Sequence, residues 1–348
     1  MFIAYFLIIL LVFGVLIFIH ELGHFLTARA CGVTVKEFAI GMGPKVFSWQ
    51  SKKHVTKYAL RLFPIGGFVS MENEDGLDDT VAPDDEGAFS NKSVPKRMLI
   101  TVAGALMNLL LGFILMMILV FSSQNLGSTV VGRFDDDATS CEQLMVDDEI
   151  IKVGRTRVHT WNELAYEIMN VGYEPVDITV KRDGEKIVLE DVVFSTFDES
   201  GTRFGEPDFI PYAEKANFTN LVKHTFFRSV STVKMVLDSV KGMLTGRFGI
   251  EAVSGPVGVV TVVEDAASQG FMSFLYVVCL LTINLGVFNL IPFPALDGGQ
   301  LLFLAIEGIR GKPVNKNVQS YINFIGITIL FAFMIFITFK DIFKLIIN

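Results

Sequence analysis

Cysteine is scarce. The three in 348 residues stand at 31, 141 and 279, two of them in or next to long apolar runs, so no disulfide framework can be drawn. Basic tracts are missing too: the formal net charge is -8, and no block of Lys and Arg offers a track for a phosphate backbone, which sets nucleic acid aside as a partner. The first apolar run has no basic region before it and no convincing small-residue cleavage site behind it, and it exceeds about 15 residues, so it reads as a retained span and not a secretory signal. The two halves show no repeat of the kind on which transporters are built.

What is present is apolar. The chain is 51% hydrophobic and 12% aromatic, with a mean hydropathy of +0.50, too high for a typical soluble protein. Four runs carry the excess: 2–19, 98–121, 271–296 and 321–339, each long enough to cross a hydrocarbon core of about 30 Å as a helix. Lys and Arg near the span ends orient them. Arg29, Lys92, Lys96 and Arg97 flank the first long connection, and Arg310, Lys312 and Lys316 lie between the last two spans, so both loops read as cytoplasmic. Both termini and 122–270 are then outside, with Lys340 and Lys344 counting against that orientation. The fold class expected is an α-helical membrane protein of about four spans, with a membrane-associated β-hairpin sheet and a small α/β external domain.

Four parts follow along the chain: 1–126, 127–196, 197–270 and 271–348. In the first, Val35–Ile40, Lys45–Trp49 and His54–Phe63 read as short strands punctuated by Gly41, Gly43, Pro44, Pro64, Gly66 and Gly67. The acidic stretch from Glu72 to Glu86 reads as a solvated loop. The second part holds strands near 129–134, 149–153, 177–181 and 186–193 around a helix at 161–170, enough for one small core. Its segments LMVDDEIIKVGRTRVHTWNEL and VDITVKRDGEKIVL resemble a PDZ domain, with Asp147 where that motif usually has Gly. In the third, Val222, Phe226, Val230, Val233, Leu237, Val240 and Leu244 recur at helical spacing opposite Lys223, Arg228, Lys234 and Lys241. That stripe suits a helix lying on the bilayer or one packed on the soluble domain.

The sharpest motif is His20-Glu21-Leu22-Gly23-His24, in a chain with five histidines. On a helix, imidazoles at i and i+4 project from one face about one turn apart, which suits two zinc bonds, and the intervening Glu sits beside the metal without binding it. Ionisable groups at membrane depth are costly and usually functional. A catalytic zinc needs a third protein ligand and an open position for water. Asp297 in NLIPFPALDGGQLL is the favoured third ligand, because an isolated carboxylate beside apolar runs calls for a cation; Glu307 and His54 are the alternatives.

Together these pieces are similar to the bacterial site-two proteases of the RseP type. The matching segments are HELGH at 20–24, IGMGP at 40–44, PIGGFVSM at 64–71, AGALMN at 103–108, SGPVGV at 254–259 and NLIPFPALDGG at 289–299. Family members often have Pro where Ala105 stands, and some carry two PDZ domains where one is found here. The resemblance implies one zinc held by His20, His24 and Asp297, with Glu21 as the base and with Asn289 and Pro292 helping to hold substrate. It also implies a bacterial plasma-membrane enzyme cleaving transmembrane anti-sigma factors or remnant signal peptides after an upstream site-one protease. A transmembrane segment must unwind before its backbone can react, and an edge strand at Gly66, Gly67, Phe68 and Val69 could receive it. A silent peptide-capturing scaffold and a metal transporter are the rival readings; Glu21 argues against the first, and the missing repeat against the second.

Overall fold

The structure, a computed structural model, describes every residue except 1, 51–54, 75–81, 83, 124, 200 and 348. It divides into two compact units, Met1–Gly112 with Ser254–Asn348, and Phe113–Val253. Among the described residues four helices are long and apolar enough to cross a membrane: Tyr5–Ala30, Val94–Ser122, Phe271–Leu290 and Lys316–Lys344. They coincide with the four apolar runs.

The first unit opens with α1 (Phe2–Ala30), followed by the hairpin β1 (Val35–Gln50) and β2 (Lys57–Met71) and then α2 (Val94–Ser122), which belongs to the second unit from Phe113 on. The HELGH motif lies inside α1, which runs on past it to Ala30. Three short strands were expected in the hairpin, yet Gly41 and Gly43, at φ 84° and 87°, bend the ladder without ending it. Phe38 therefore pairs with both Tyr58 and Val69. The hairpin lays four stretches side by side in the order 45–50, 57–61, 37–40 and 67–71. A core of Phe25, Ala28, Val35, Phe38, Val69, Met71 and Ile100 fastens the last of these stretches to α1 and α2.

In the second unit the strands are β3 (Leu126–Phe134), β4 (Glu149–Val153) and β5 (Thr156–Arg157), then α3 (Trp161–Val171), then β6 (Val176–Arg182), β7 (Glu185–Val192), β8 (Ser195–Glu199), β9 (Thr202–Glu206) and β10 (Phe209–Glu214). The antiparallel sheet runs β10-β3-β4-β6-β7, with β5 on β4 and β8–β9 as a separate hairpin. β10, in the stretch read from the sequence as a linker, completes this sheet by pairing with β3. Val131, Leu144, Ile150, Leu164, Ile168, Ile178 and Val180 form the core under α3. Asp148, fully buried, takes two 2.7 Å hydrogen bonds from Arg182.

α4 (Phe218–Leu244) follows with the bounds its apolar stripe suggested. Its buried face is His224, Thr225, Ser229, Thr232 and Val236, which packs toward α3, where Lys234 bonds Glu167 at 2.6 Å and the Tyr166 hydroxyl donates to Asp238 at 2.9 Å. Val222, Phe226, Val230, Leu237 and Leu244 stay exposed.

The first unit resumes with α5 (Pro256–Gln269), α6 (Phe271–Leu290), α7 (Asp297–Arg310) and α8 (Lys316–Ile347). Asp341 of α8 is buried and accepts from the N–H groups of Gly255 and Gly258 at 2.8 and 2.9 Å, satisfying donors that the first turn of α5 leaves open. The third apolar run outlasts its helix. Ile291, extended before Pro292, ends α6, because the residue before a proline is driven out of helical geometry. The six residues that follow α6 form the loop that delivers Asp297.

Candidate active site

His20 and His24 sit one turn apart on α1, and Asp297 enters as the first residue of α7. The two Nε2 atoms are 3.2 Å apart, and Oδ2 of Asp297 lies 3.2 Å from the first and 3.3 Å from the second. Four-coordinate zinc with bonds of about 2.0–2.1 Å spaces its ligands about 3.3 Å apart. The triangle fits that ion closely. Nδ1 of His24 lies 2.9 Å from the carbonyl of Ile100; a proton there leaves Nε2 with a lone pair facing a carboxylate oxygen that is buried without a hydrogen-bond partner among the described residues. Three such atoms converging on one point suit a cation held between them. No other group of three His, Cys, Asp or Glu among the described residues is close enough to hold one.

α2 builds the wall opposite α1. Ile100, Gly104 and Asn108 recur every four residues and so share one helix face. Gly104 lies where a Cβ would collide with Nε2 of His24, and a Cβ on Gly23 would collide with the Ala103 carbonyl. These two glycines let α1 and α2 approach closely enough to seat both imidazoles. Asn108 is fully buried, with its Nδ2 3.5 Å from Nδ1 of His20. The loop before Asp297 is held from α8. Ala295, at φ 75°, occupies a left-handed conformation that costs a side-chain-bearing residue about 1–2 kcal/mol. Its N–H donates to the Asn323 amide oxygen at 3.3 Å.

A cavity of about 300 Å³ opens on these groups, lined by Glu21, Phe68, Val69, Glu74, Gln300 and Asn323 besides the three ligand candidates. The strand edge at 67–71 forms one side. Glu72 N–H turns back to Thr34 at 2.9 Å, whereas Met71 N–H turns away to Glu74 at 3.3 Å and Val69 N–H faces the Glu21 carboxylate. By the alternation of a strand, 67, 69 and 71 therefore present their backbone groups away from β1.

Not every site residue expected from the sequence is brought together. Phe68 and Val69 line the cavity; Gly67 lies against Glu21, and Gly66, at φ 83°, packs on Met42 instead. Asn289 is half-buried near the end of α6 and Pro292 is exposed in the following loop, both outside the cavity lining. Glu307 is engaged elsewhere, accepting from both terminal nitrogens of Arg97 at 2.5 and 3.1 Å. His54 lies outside the described residues. Gly104, Asn108, Glu74 and Asn323 escaped the sequence reading as site residues, although the first two stand in the AGALMN segment at a spacing of four.

Two imidazoles and a carboxylate around a zinc-sized gap, with a further Glu alongside, are the arrangement an HExxH metalloprotease centre calls for, with both imidazoles on a helix long and apolar enough to cross a membrane. Comparison with known proteins places it further: the profile of peptidase family M50 matches residues 8–333, and the chain belongs to that family. It is a zinc metalloprotease. A Clostridium acetobutylicum chain bearing the name zinc metalloprotease is 36% identical, with 96% of each chain covered. The zinc metalloprotease RasP of Shouchella clausii is 30% identical over 96% of this chain and 97% of its own. The regulator of sigma-W protease RasP of Bacillus subtilis is 28% identical over 97% of each.

Proposed function

We propose that this enzyme carries out regulated intramembrane proteolysis with His20, His24 and Asp297 as zinc ligands and Glu21 as general base. The observation that carries the assignment is the 3.2–3.3 Å triangle of Nε2, Nε2 and Oδ2 on elements that cross or abut a membrane. A zinc ion held by these three residues would supply Lewis-acid activation of a water and of the scissile carbonyl. Glu21 accepts the proton of that water and returns it to the leaving nitrogen. The Bacillus subtilis relative's name, regulator of sigma-W protease, supports transmembrane anti-sigma factors as a substrate class, shortened beforehand by another protease; remnant signal peptides are the second class. The deciding experiment incubates the purified protein with a membrane-spanning peptide, with zinc and with a chelator under anaerobic conditions. Zinc-dependent cleavage within the membrane-spanning segment supports the reading, and cleavage that is absent or indifferent to the chelator counts against it.

The unwound substrate joins the 67–71 edge as an added strand, with Asn289 and Pro292 steadying the helical part that remains. Because the Val69 N–H faces Glu21, the donor open to a substrate is the Met71 N–H, released when Glu74 gives way. Met71→Pro removes that donor and should slow cleavage about tenfold or more with zinc retained, because strand addition relies on main-chain hydrogen bonds. Met71→Ala, which loses the same side chain, should be affected less. Equal losses in the two variants would argue against strand addition.

The charge pattern of the loops supports both termini and the second unit on the outer side of the bacterial plasma membrane, with the metal site toward the cytoplasm. The exposed stripe of α4 is suited to rest on the bilayer. The β3–β7 core resembles a PDZ domain, and Asp147 at φ 74° adopts the conformation that the motif's usual Gly supplies. β3 starts at Leu126, soon after α2 ends at Ser122, and so short a tether holds the domain at the bilayer surface, where it excludes bulky outer domains. Replacing 127–214 by a Gly/Ser bridge should newly permit cleavage of a substrate with a long folded ectodomain and leave a stub substrate nearly unchanged. Loss of stub cleavage with the long form still uncut would make the domain a recognition element instead.

A further inference from the structure

His24 and His20 are treated alike by the ligand triangle but not by their surroundings. His24 has a carbonyl acceptor for its second ring nitrogen, Ile100 at 2.9 Å. The polar neighbour of Nδ1 of His20 is the Asn108 amide, with Nδ2 3.5 Å away. That amide is fully buried in an apolar helix, and its Oδ1 has no hydrogen-bond partner among the described residues.

We propose that Asn108 is the positioning residue of His20: its amide oxygen accepts from Nδ1–H, which holds the tautomer that leaves the Nε2 lone pair for the metal. The inference rests on the zinc reading of the site. An imidazole that binds through Nε2 carries its proton on Nδ1, and ligating histidines almost always donate that proton to an acceptor that fixes the ring. A half-turn of the terminal amide exchanges its oxygen and nitrogen in place. The orphaned oxygen and the unmet Nδ1–H thereby satisfy each other. Asn108 stands eight residues beyond Ile100 on the same face of α2, so one helix supplies the acceptors for both imidazoles. The two ligands are oriented from the same rigid element.

The test compares the native protein with Asn108→Leu, of similar size but without an acceptor, and Asn108→Asp, which keeps one. Each is titrated with a chelator to give its zinc affinity. Loss of an outer partner of this kind typically costs about 10- to 100-fold in metal affinity. Asn108→Leu should weaken zinc binding by that factor, and Asn108→Asp should restore most of it. Asn108→Leu binding zinc as the native protein does would overturn the proposal, and so would equal losses in Leu and Asp, which would reveal a packing effect. If Asn108→Leu does not accumulate, a long-range proton–nitrogen correlation spectrum of the zinc-loaded, histidine-labelled native protein decides. Protonated Nδ1 on His20 supports the assignment, and protonated Nε2 refutes it. A native protein that binds no zinc would instead defeat the underlying metal reading, which keeps the two failures apart.

Discussion

Asp297→Ala should leave the purified protein with little zinc and no measurable turnover. His20 and His24 project from one helix and can supply two ligands; the third comes from a different helix, with Oδ2 at 3.2 and 3.3 Å from the two imidazole nitrogens. A zinc site keeps three protein ligands and one open position, so the variant retains an incomplete pair from which a chelator removes the ion readily. Asp297→Asn should fall between, because the amide keeps the shape and loses the charge. Glu307→Ala should hold its zinc, since Glu307 is paired with Arg97 and not with the site; its loss loosens the α2–α7 contact. His54→Ala should also hold its zinc. Metal analysis of the four variants checks the set. Stoichiometric zinc and normal turnover in Asp297→Ala would sink the ligand assignment, and zinc loss in Glu307→Ala to the same degree would show that the effect is not specific to the ligand.

How much of this could be read before the structure depends on the distance along the chain over which each interaction acts. HELGH was legible as a candidate site because the two proposed ligands and the proposed base lie within one helical turn, where spacing alone dictates a shared face. Asp297 could be favoured from its apolar setting, yet nothing local showed that it meets α1. The proximity of Gly104 and Asn108 to the site was hidden, because what singles them out is contact with rings 80 and more residues earlier in the chain. In the hairpin, glycines that ordinarily mark turns serve at positive φ as bends in a continuous ladder, and a linear reading cut one long strand into pieces. α4 misled in a different way. Its apolar stripe was legible, but the face it buries is largely polar. The hydroxyls of Thr225, Ser229 and Thr232 bond carbonyls one turn back at 2.8 Å each, and polar groups satisfied within their own helix can be buried without penalty. β10 was missed because its partner β3 lies far back in the chain, and a proline at position 211 demotes a strand in any local reading.

Glu21→Gln should bind zinc as tightly as the native protein and lose about 10²- to 10⁴-fold in turnover, the range that general acid–base catalysis contributes. The expectation follows from where the side chain stands. Glu21 follows the first ligand directly on α1, lines the cavity, and lies between the ligand triangle and the strand edge, with its Cγ close to Gly67 and its carboxylate before the Val69 N–H. It therefore stands beside the three candidate ligands and next to the segment proposed to receive substrate. An amide of equal size keeps the packing and can still accept from Val69, but it cannot take a proton from water or hand one to a departing amine. Glu21→Asp supplies the control. It keeps the chemistry and withdraws the carboxylate by one methylene, so its rate should lie between those of Gln and native. Substrate should still enter the Glu21→Gln variant, which makes it the form in which membrane peptides accumulate and can be identified by mass spectrometry. Turnover in Glu21→Gln within about tenfold of native, with zinc at full occupancy, would mean that another group moves the proton; the general-base role would then have to be given up even if His20, His24 and Asp297 still hold the metal.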